Sequence, residues 1–281
     1  MQYYFLMQTY YKILIAKIIL KILSIFTLNL KINCKRNGLN WRLDLNEGID
    51  LSIFIFGRFE YEIIKTIKDL KLDNKQNINI IDIGSNIGAQ TLQMATYLKN
   101  ATIYSIEPTN FAFKKLLLNV NSNPMIKKKI YPSQVLLTDK SKLIPTKIYS
   151  SWNLTSRKNP HKKHRGFKKN IKNAKIMSFD QFIKRKKLQN VKLIKLDVDG
   201  AELKIFKSGK NFFKKNKPYI IMELAPYLYP EMGYNYVDLL NEIKSIGYKF
   251  YSIYPIKKIL NISNFVKNIN DASSKNILLS I

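Results

Sequence analysis

Ile78-Asn79-Ile80-Ile81-Asp82-Ile83-Gly84-Ser85-Asn86-Ile87-Gly88 is the stretch on which the reading of the chain turns. Its isoleucine run fits a strand buried on both faces. The run breaks at Gly84, Ser85 and Asn86, which favour turns. From Ala89 to Leu98 the spacing becomes helical, with Leu92, Ala95 and Leu98 on one stripe. Strand, glycine turn and helix in that order form a nucleotide-type site at the carboxyl edge of a parallel sheet. Gly84 allows a tight turn and close backbone approach to a ligand. Asp82 places an acid at the strand's end.

The dinucleotide fingerprint would need a second glycine at position 86, where this chain has Asn86. That argues against NAD. The pattern present, Asp-x-Gly-x-x-x-Gly, with Glu107 closing the next strand, resembles the first motif of S-adenosylmethionine-dependent methyltransferases.

Outward from this motif, strands and helices alternate. Ala101–Ile106 reads as a second strand ending in Glu107-Pro108, and Tyr131–Leu137 as a third ending in Thr138-Asp139. Val191–Asp197 is a fourth, and Lys217–Glu223 a fifth. Helices are expected at Asn110–Asn119, Leu203–Phe213 and Tyr234–Ile246, and a short one after its N-cap Ser178. Tyr248–Tyr254 and Asn276–Ile281 form a final antiparallel pair. The fold class is therefore α/β, a Rossmann-like, mostly parallel sheet with an antiparallel final strand and helices on both faces. Three regions follow: an apolar, basic helical segment (1–32), a lead-in hairpin and helix (33–77), and the catalytic domain (78–281). The hairpin is assigned to Trp41–Leu45 and Leu51–Phe56, with a helix from Tyr61 to Leu70 after it. Lys142–Tyr149 reads as an added strand, and Ser150–Lys175 as a lysine-rich, solvated loop holding His161 and His164.

The carboxyl ends of the core strands carry Asp82, Glu107, Asp139, Asp197 and Glu223. Ligands bind at that edge in open α/β sheets, and acids are rarely buried there for packing alone. Glu107 stands where acids accept hydrogen bonds from ribose hydroxyls, and Asp139 where an adenine amino group would be met.

These pieces together resemble the FkbM-type S-adenosylmethionine-dependent methyltransferases. The resemblance runs in family order from Trp41–Asp50 and Gly57–Glu60, through Ile81–Gly88, Ile106–Pro108, Leu136–Asp139 and Ser178–Phe182, to Leu193–Glu202 and Pro218–Glu223. Ser85 stands where alanine is usual and Asp199 where glutamate is usual. The resemblance implies methyl transfer to oxygen, on a hydroxyl of a sugar, glycan or small metabolite. It implies cofactor contacts at Asp82, Gly84, Ser85, Asn86, Gly88, Glu107, Pro108 and Asp139. Candidate bases are Asp197, Asp199 and Glu202, with the N-terminus of its own helix as the alternative role of Glu202. Arg58 and Glu60 are candidates for the acceptor side. A divalent metal at Asp197 and its neighbours is conceivable, but no ligand cluster with diagnostic spacing is visible, so no metal is expected.

The net charge of +29 raises two other readings, an RNA-modifying methyltransferase and a non-catalytic membrane-associated binding protein. Arginine, the usual base reader, occurs only at 36, 42, 58, 157, 165 and 185, whereas lysine, asparagine and isoleucine abound, as an A/T-rich genome produces. Nucleic acid is thus a disfavoured partner. One cysteine, Cys34, excludes an internal disulfide and fits a reducing compartment. Residues 1–32 lack the layout of a signal peptide, and their lysines leave no run long enough to span a bilayer. They suit a helix lying on a membrane surface or packed on the domain. The expected location is the cytoplasm, with the inner membrane surface as the site of any peripheral contact.

Overall fold

In the computed structural model, residues 9–26, 29–139, 145–150, 152–156, 160–163 and 165–281 are described. The chain opens with α1 (Thr9–Phe26), followed by the antiparallel pair β1 (Lys31–Arg36) and β2 (Leu39–Asp44). Then come α2 (Gly48–Phe56), α3 (Tyr61–Asp69), β3 (Ile78–Ile83), α4 (Ala89–Tyr97), β4 (Ala101–Ile106), α5 (Asn110–Asn121) and α6 (Pro124–Lys127). The middle holds β5 (Ile130–Ser133), β6 (Val135–Leu137), β7 (Lys147–Ser150), β8 (Phe167–Asn170), β9 (Lys175–Met177), α7 (Phe179–Lys186) and β10 (Val191–Leu196). The last part holds α8 (Glu202–Ser208), α9 (Lys210–Asn216), β11 (Tyr219–Leu224), α10 (Tyr236–Ile246), β12 (Lys249–Ser252), β13 (Lys257–Lys258), α11 (Ile262–Lys267) and β14 (Lys275–Ser280).

Eight strands form the main sheet in the order β13-β12-β14-β11-β10-β3-β4-β5. From β11 to β5 all neighbours are parallel, whereas β14 inserts antiparallel between β11 and β12. The strand order reverses between β3 and β10, the switch point at which a ligand crevice opens. Alternate residues of β3 feed two cores. Ile81 and Ile83 join Phe179, Phe206 and Phe213 on one face. Ile78 and Ile80 join Trp41, Ile63 and Leu92 on the other. Helices on both faces explain why the strands are apolar on both sides rather than alternating.

Four expectations are corrected. Leu51–Phe56 lies in helix α2, not in a strand, and the true partner of β2 is the polar stretch Lys31–Arg36. Two features end and anchor that helix: Gly57 at φ +73° closes it, and the buried Asp50 carboxylate accepts from the Asp44 amide (2.7 Å) and pairs with Lys115. The third strand splits after Ser133. β5 stays in the sheet as an edge strand, where Pro132 is tolerated, and β6 leaves to pair with β9. The expected helix Leu203–Phe213 breaks into α8 and α9 at Gly209. A Cβ there would lie 2.5 Å from the Phe179 ring, which instead stacks on Phe213 with centroids 5.1 Å apart. The lysine-rich loop is partly structured: β8 pairs with β7, and His161 is buried. His164 and residues 142–144 of the expected added strand fall outside the described residues.

Candidate active site

A cavity of about 240 Å³ opens at the carboxyl ends of β3, β4, β10 and β11. Its first wall is the glycine turn. Gly84 has φ +80°, and a Cβ built there would stand 1.7 Å from the Asp197 carbonyl oxygen. The Gly84 and Ser85 amides donate to the Ile106 carbonyl at 2.9 and 3.0 Å, which locks the turn to the end of β4. Ser85 and Asn86 line the cavity, and the buried Ser85 hydroxyl has no hydrogen-bond partner among the described residues. Backbone without side chains, and a buried hydroxyl in need of a partner, suit a polar ligand in this cradle.

Glu107 also lines this wall. One of its carboxylate oxygens accepts from the amide and hydroxyl of Thr109, and the other from the Asn86 amide at 3.0 Å. The second oxygen keeps a lone pair for a ligand hydroxyl. Burial pushes the Glu107 pKa up to about 7, against the pull of those donors. Pro108, Leu137 and Thr138 continue the lining.

Other cofactor-side candidates stand behind the cavity or away from it. Asp82 is wholly buried and accepts the Thr91 hydroxyl at 2.5 Å, tying β3 to α4. Burial raises its pKa. Gly88 caps α4 at φ +89°, and a Cβ there would meet Leu92 and Leu116 at 2.8 Å. Asp139 is exposed and lies outside the lining, which ends at its neighbour Thr138.

The opposite wall is acidic. Asp197, Asp199, Glu223 and Glu60 all line it, together with Lys195 and Tyr227. Asp197 accepts from the Lys195 ammonium at 2.8 Å. Burial opposes that ammonium's charge, yet Asp197, Asp82 and Glu60 around it raise its pKa. Glu223 accepts the Ser274 hydroxyl at 2.6 Å. Burial, then the charges of Asp197 and Asp199, raise its pKa well above the ordinary value. Asp197, Asp199 and Glu223 each offer an oxygen, all within 4.8 Å of one another, a set that could receive a divalent cation. The sequence placed Asp197 and Glu223 at strand ends on one sheet edge but showed no ligand spacing, because neighbouring strands are far apart in the chain.

Glu60 comes from the lead-in segment. It sits at φ +47°, a left-handed conformation that costs a non-glycine residue energy and clusters at functional sites. Its Oε1 accepts from Asn276 at 3.2 Å, while its buried Oε2 has no partner among the described residues. Burial, tempered by Lys195 and reinforced by Asp197, pushes its pKa up to about 7. Arg58, its companion in the sequence reading, instead lies over the Tyr61 ring (3.6 Å) away from the cavity.

Glu202 does not line the cavity. It is fully buried beneath the turn after β10, where it accepts from the Gly200 and Val198 amides at 3.3 and 3.4 Å. Burial lifts its pKa to about 8 despite those amides. The geometry thus matches its alternative role, holding the start of its own helix.

Sequence reasoning passed over Lys195. Its signal was a lysine in the buried second half of the strand, two residues before Asp197, a place that a charge-paired lysine can occupy. His161, expected in a solvated loop, packs edge-on against Tyr149 (4.6 Å) and bonds Glu231 through Nε2 at 2.8 Å. That pair ties the β7–β8 hairpin to the 3₁₀ helix Pro226–Met232 beside the cavity.

Comparison with solved structures returns methyltransferases. An FkbM methyltransferase from Methylobacillus flagellatus KT is 15% identical with a TM-score of 0.45, covering 74% of this chain; the chain spans 44% of that protein's length. An O-methyltransferase from Thermotoga maritima is 11% identical, with a TM-score of 0.42 over 83% of this chain and 70% of that one. TYW2 from M. jannaschii, solved in complex with AdoMet, is 16% identical, with a TM-score of 0.41 over 89% and 84%. No curated protein sequence matches the chain. The profile of the Methyltransferase FkbM domain matches residues 82–250, which run from the acid of β3 to β12 and take in the glycine turn, Glu107, the acids after β10 and Glu223 near the end of β11. Those residues make up more than half of the chain, and their largely parallel sheet with helices on both faces is the Rossmann-like fold expected from the sequence; the chain therefore belongs to the FkbM family of methyltransferases.

Proposed function

We propose that the protein transfers a methyl group to a hydroxyl oxygen of a sugar, a glycan or a small metabolite. The observation that supports this is the acidic acceptor wall, Glu60, Asp197, Asp199 and Glu223, inside a chain of net charge +29. Carboxylates accept hydrogen bonds from hydroxyl groups and repel phosphates. A polyhydroxylated acceptor suits such a wall, and a nucleic acid does not.

Gly84, Ser85, Asn86, Glu107 and Pro108 are the residues that would hold S-adenosylmethionine, with Asp82 and Gly88 supporting them from behind. The cofactor supplies a methyl group already activated on a sulfonium. The residues of this chain then have two tasks, to align the acceptor oxygen and to remove its proton. Glu60 is the proton acceptor in this reading, because its Oε2 is buried with no partner among the described residues and burial pushes its pKa up to about 7. Asp197, fixed by Lys195, and Asp199 orient the acceptor's hydroxyls.

Labelled methyl transfer to a panel of monosaccharides, glycans and RNA tests the reading. The expected product is a methyl ether on a carbohydrate or metabolite, stable to alkali. Label found only in RNA, or released by alkali as from an ester, overturns it.

A further inference from the structure

Helix α1 carries two apolar faces. One packs on the domain: Ala16 and Leu20 are buried in the core that holds Trp41, Leu51 and Ile53, with Ile13 and Leu23 half-buried against it. On the other, Leu14, Ile18, Ile22 and Ile25 are 46%, 54%, 52% and 76% exposed. At about 100° per residue, these four fall within about 80° of arc, opposite the packed face. A helix apolar all round is normally buried or set against lipid. Here half of it faces outward.

The charge beside this stripe has one sign. Lys17 and Lys21 are exposed along one edge of it. Within the first 43 residues there are seven basic residues, Lys12, Lys17, Lys21, Lys31, Lys35, Arg36 and Arg42, and the first acid is Asp44. A second copy of the chain docking stripe to stripe would bring these rows of cations together with no acid from the segment to pair them. An anionic bilayer surface meets both demands. Its acyl boundary takes the isoleucines, and its headgroups take the lysines. Among the described residues no helix is long and apolar enough to cross a membrane, so the fit is to the surface.

We infer that α1 is a peripheral membrane anchor, its Leu14–Ile18–Ile22–Ile25 stripe entering the headgroup–acyl boundary of an anionic bilayer. The lysines supply long-range attraction, about fivefold in partitioning for each near the surface. The stripe supplies the salt-resistant part.

The test is co-sedimentation of the full chain with vesicles of phosphatidylcholine alone and of phosphatidylcholine mixed with phosphatidylglycerol. S-adenosylhomocysteine binding serves as the check that each variant is folded. The wild type is expected to partition onto the mixed vesicles. The Ile18→Ser, Ile22→Ser double variant is expected to lose at least about tenfold, and Lys17→Gln, Lys21→Gln about twentyfold. If the double isoleucine variant fails to fold, Ile22→Trp keeps the stripe apolar. Its added fluorescence should be quenched by brominated phosphatidylcholine in the mixed vesicles. The inference is overturned if the wild type sediments with neither vesicle, or if the isoleucine variant binds as tightly as wild type, which would assign binding to overall charge. It is also overturned if Ile22→Trp shows no added quenching, or if the isoleucine variant only dissociates a dimer.

Discussion

Gly84 and Asp197 meet across the switch point: a Cβ on Gly84 would fall 1.7 Å from the Asp197 carbonyl oxygen, so the glycine turn and the end of β10 share one contact. The obstacle is backbone, which no rotamer change relieves, and φ +80° is itself unfavourable for alanine. Gly84→Ala is therefore expected to cost at least about 4 kcal/mol and to abolish S-adenosylhomocysteine binding. Urea unfolding and calorimetry check this; a stable variant with wild-type affinity contradicts it.

Glu107 links cofactor affinity to pH. Burial pushes its carboxyl pKa up to about 7. In the proposed function ribose hydroxyls donate to its charged form, which would lower the pKa on binding. Affinity should therefore rise as pH increases through about 7, with release of a proton. Calorimetry of S-adenosylhomocysteine in buffers of different ionisation enthalpy measures both effects. Glu107→Gln should weaken binding about 10- to 100-fold and flatten the pH dependence.

Glu60→Gln separates chemistry from binding. Loss of a proton acceptor should lower kcat about 10²- to 10⁴-fold while leaving S-adenosylhomocysteine affinity near that of wild type. In the wild type, kcat/KM should climb as pH rises through about 7, where the carboxylate forms. A variant with undiminished kcat would remove Glu60 from this role.

Glu202 makes stability depend on pH. Its pKa rises from 4.5 in the free side chain to about 8 in the folded protein, chiefly through burial. The stability contributed by its protonated form is full below 4.5 and is lost as pH rises through about 8. Glu202→Gln keeps an acceptor for the Val198 and Gly200 amides. It should narrow the difference in Tm between about pH 5 and about pH 8 by several degrees, as read by calorimetric melting.

The sequence by itself determined the features that are local in the chain. The apolar run Ile78–Ile83, the turn at Gly84 and the helix after it are written in consecutive residues, and so is the capping box of Ser178 and Gln181. The acids at the ends of β4, β10 and β11 were legible because each closes a strand whose apolar pattern marks its own limits. Tertiary structure decided whatever depends on a distant neighbour. Leu51–Phe56 has the composition of a strand, yet becomes a helix because Asp50 is drawn to Asp44 and Lys115 and because its apolar side chains fill the core beneath α1. Tyr131–Leu137 reads as one strand, but β9 offers its second half a different partner. Glu60 reaches the acceptor wall only because the lead-in segment folds back on β14 through Asn276. Glu202, three residues from Asp199, is withdrawn from the cavity because the buried amides of its own turn need an acceptor. Periodicity and turn chemistry act over a few residues, and packing alone chooses which acids face the ligand and which hold the fold.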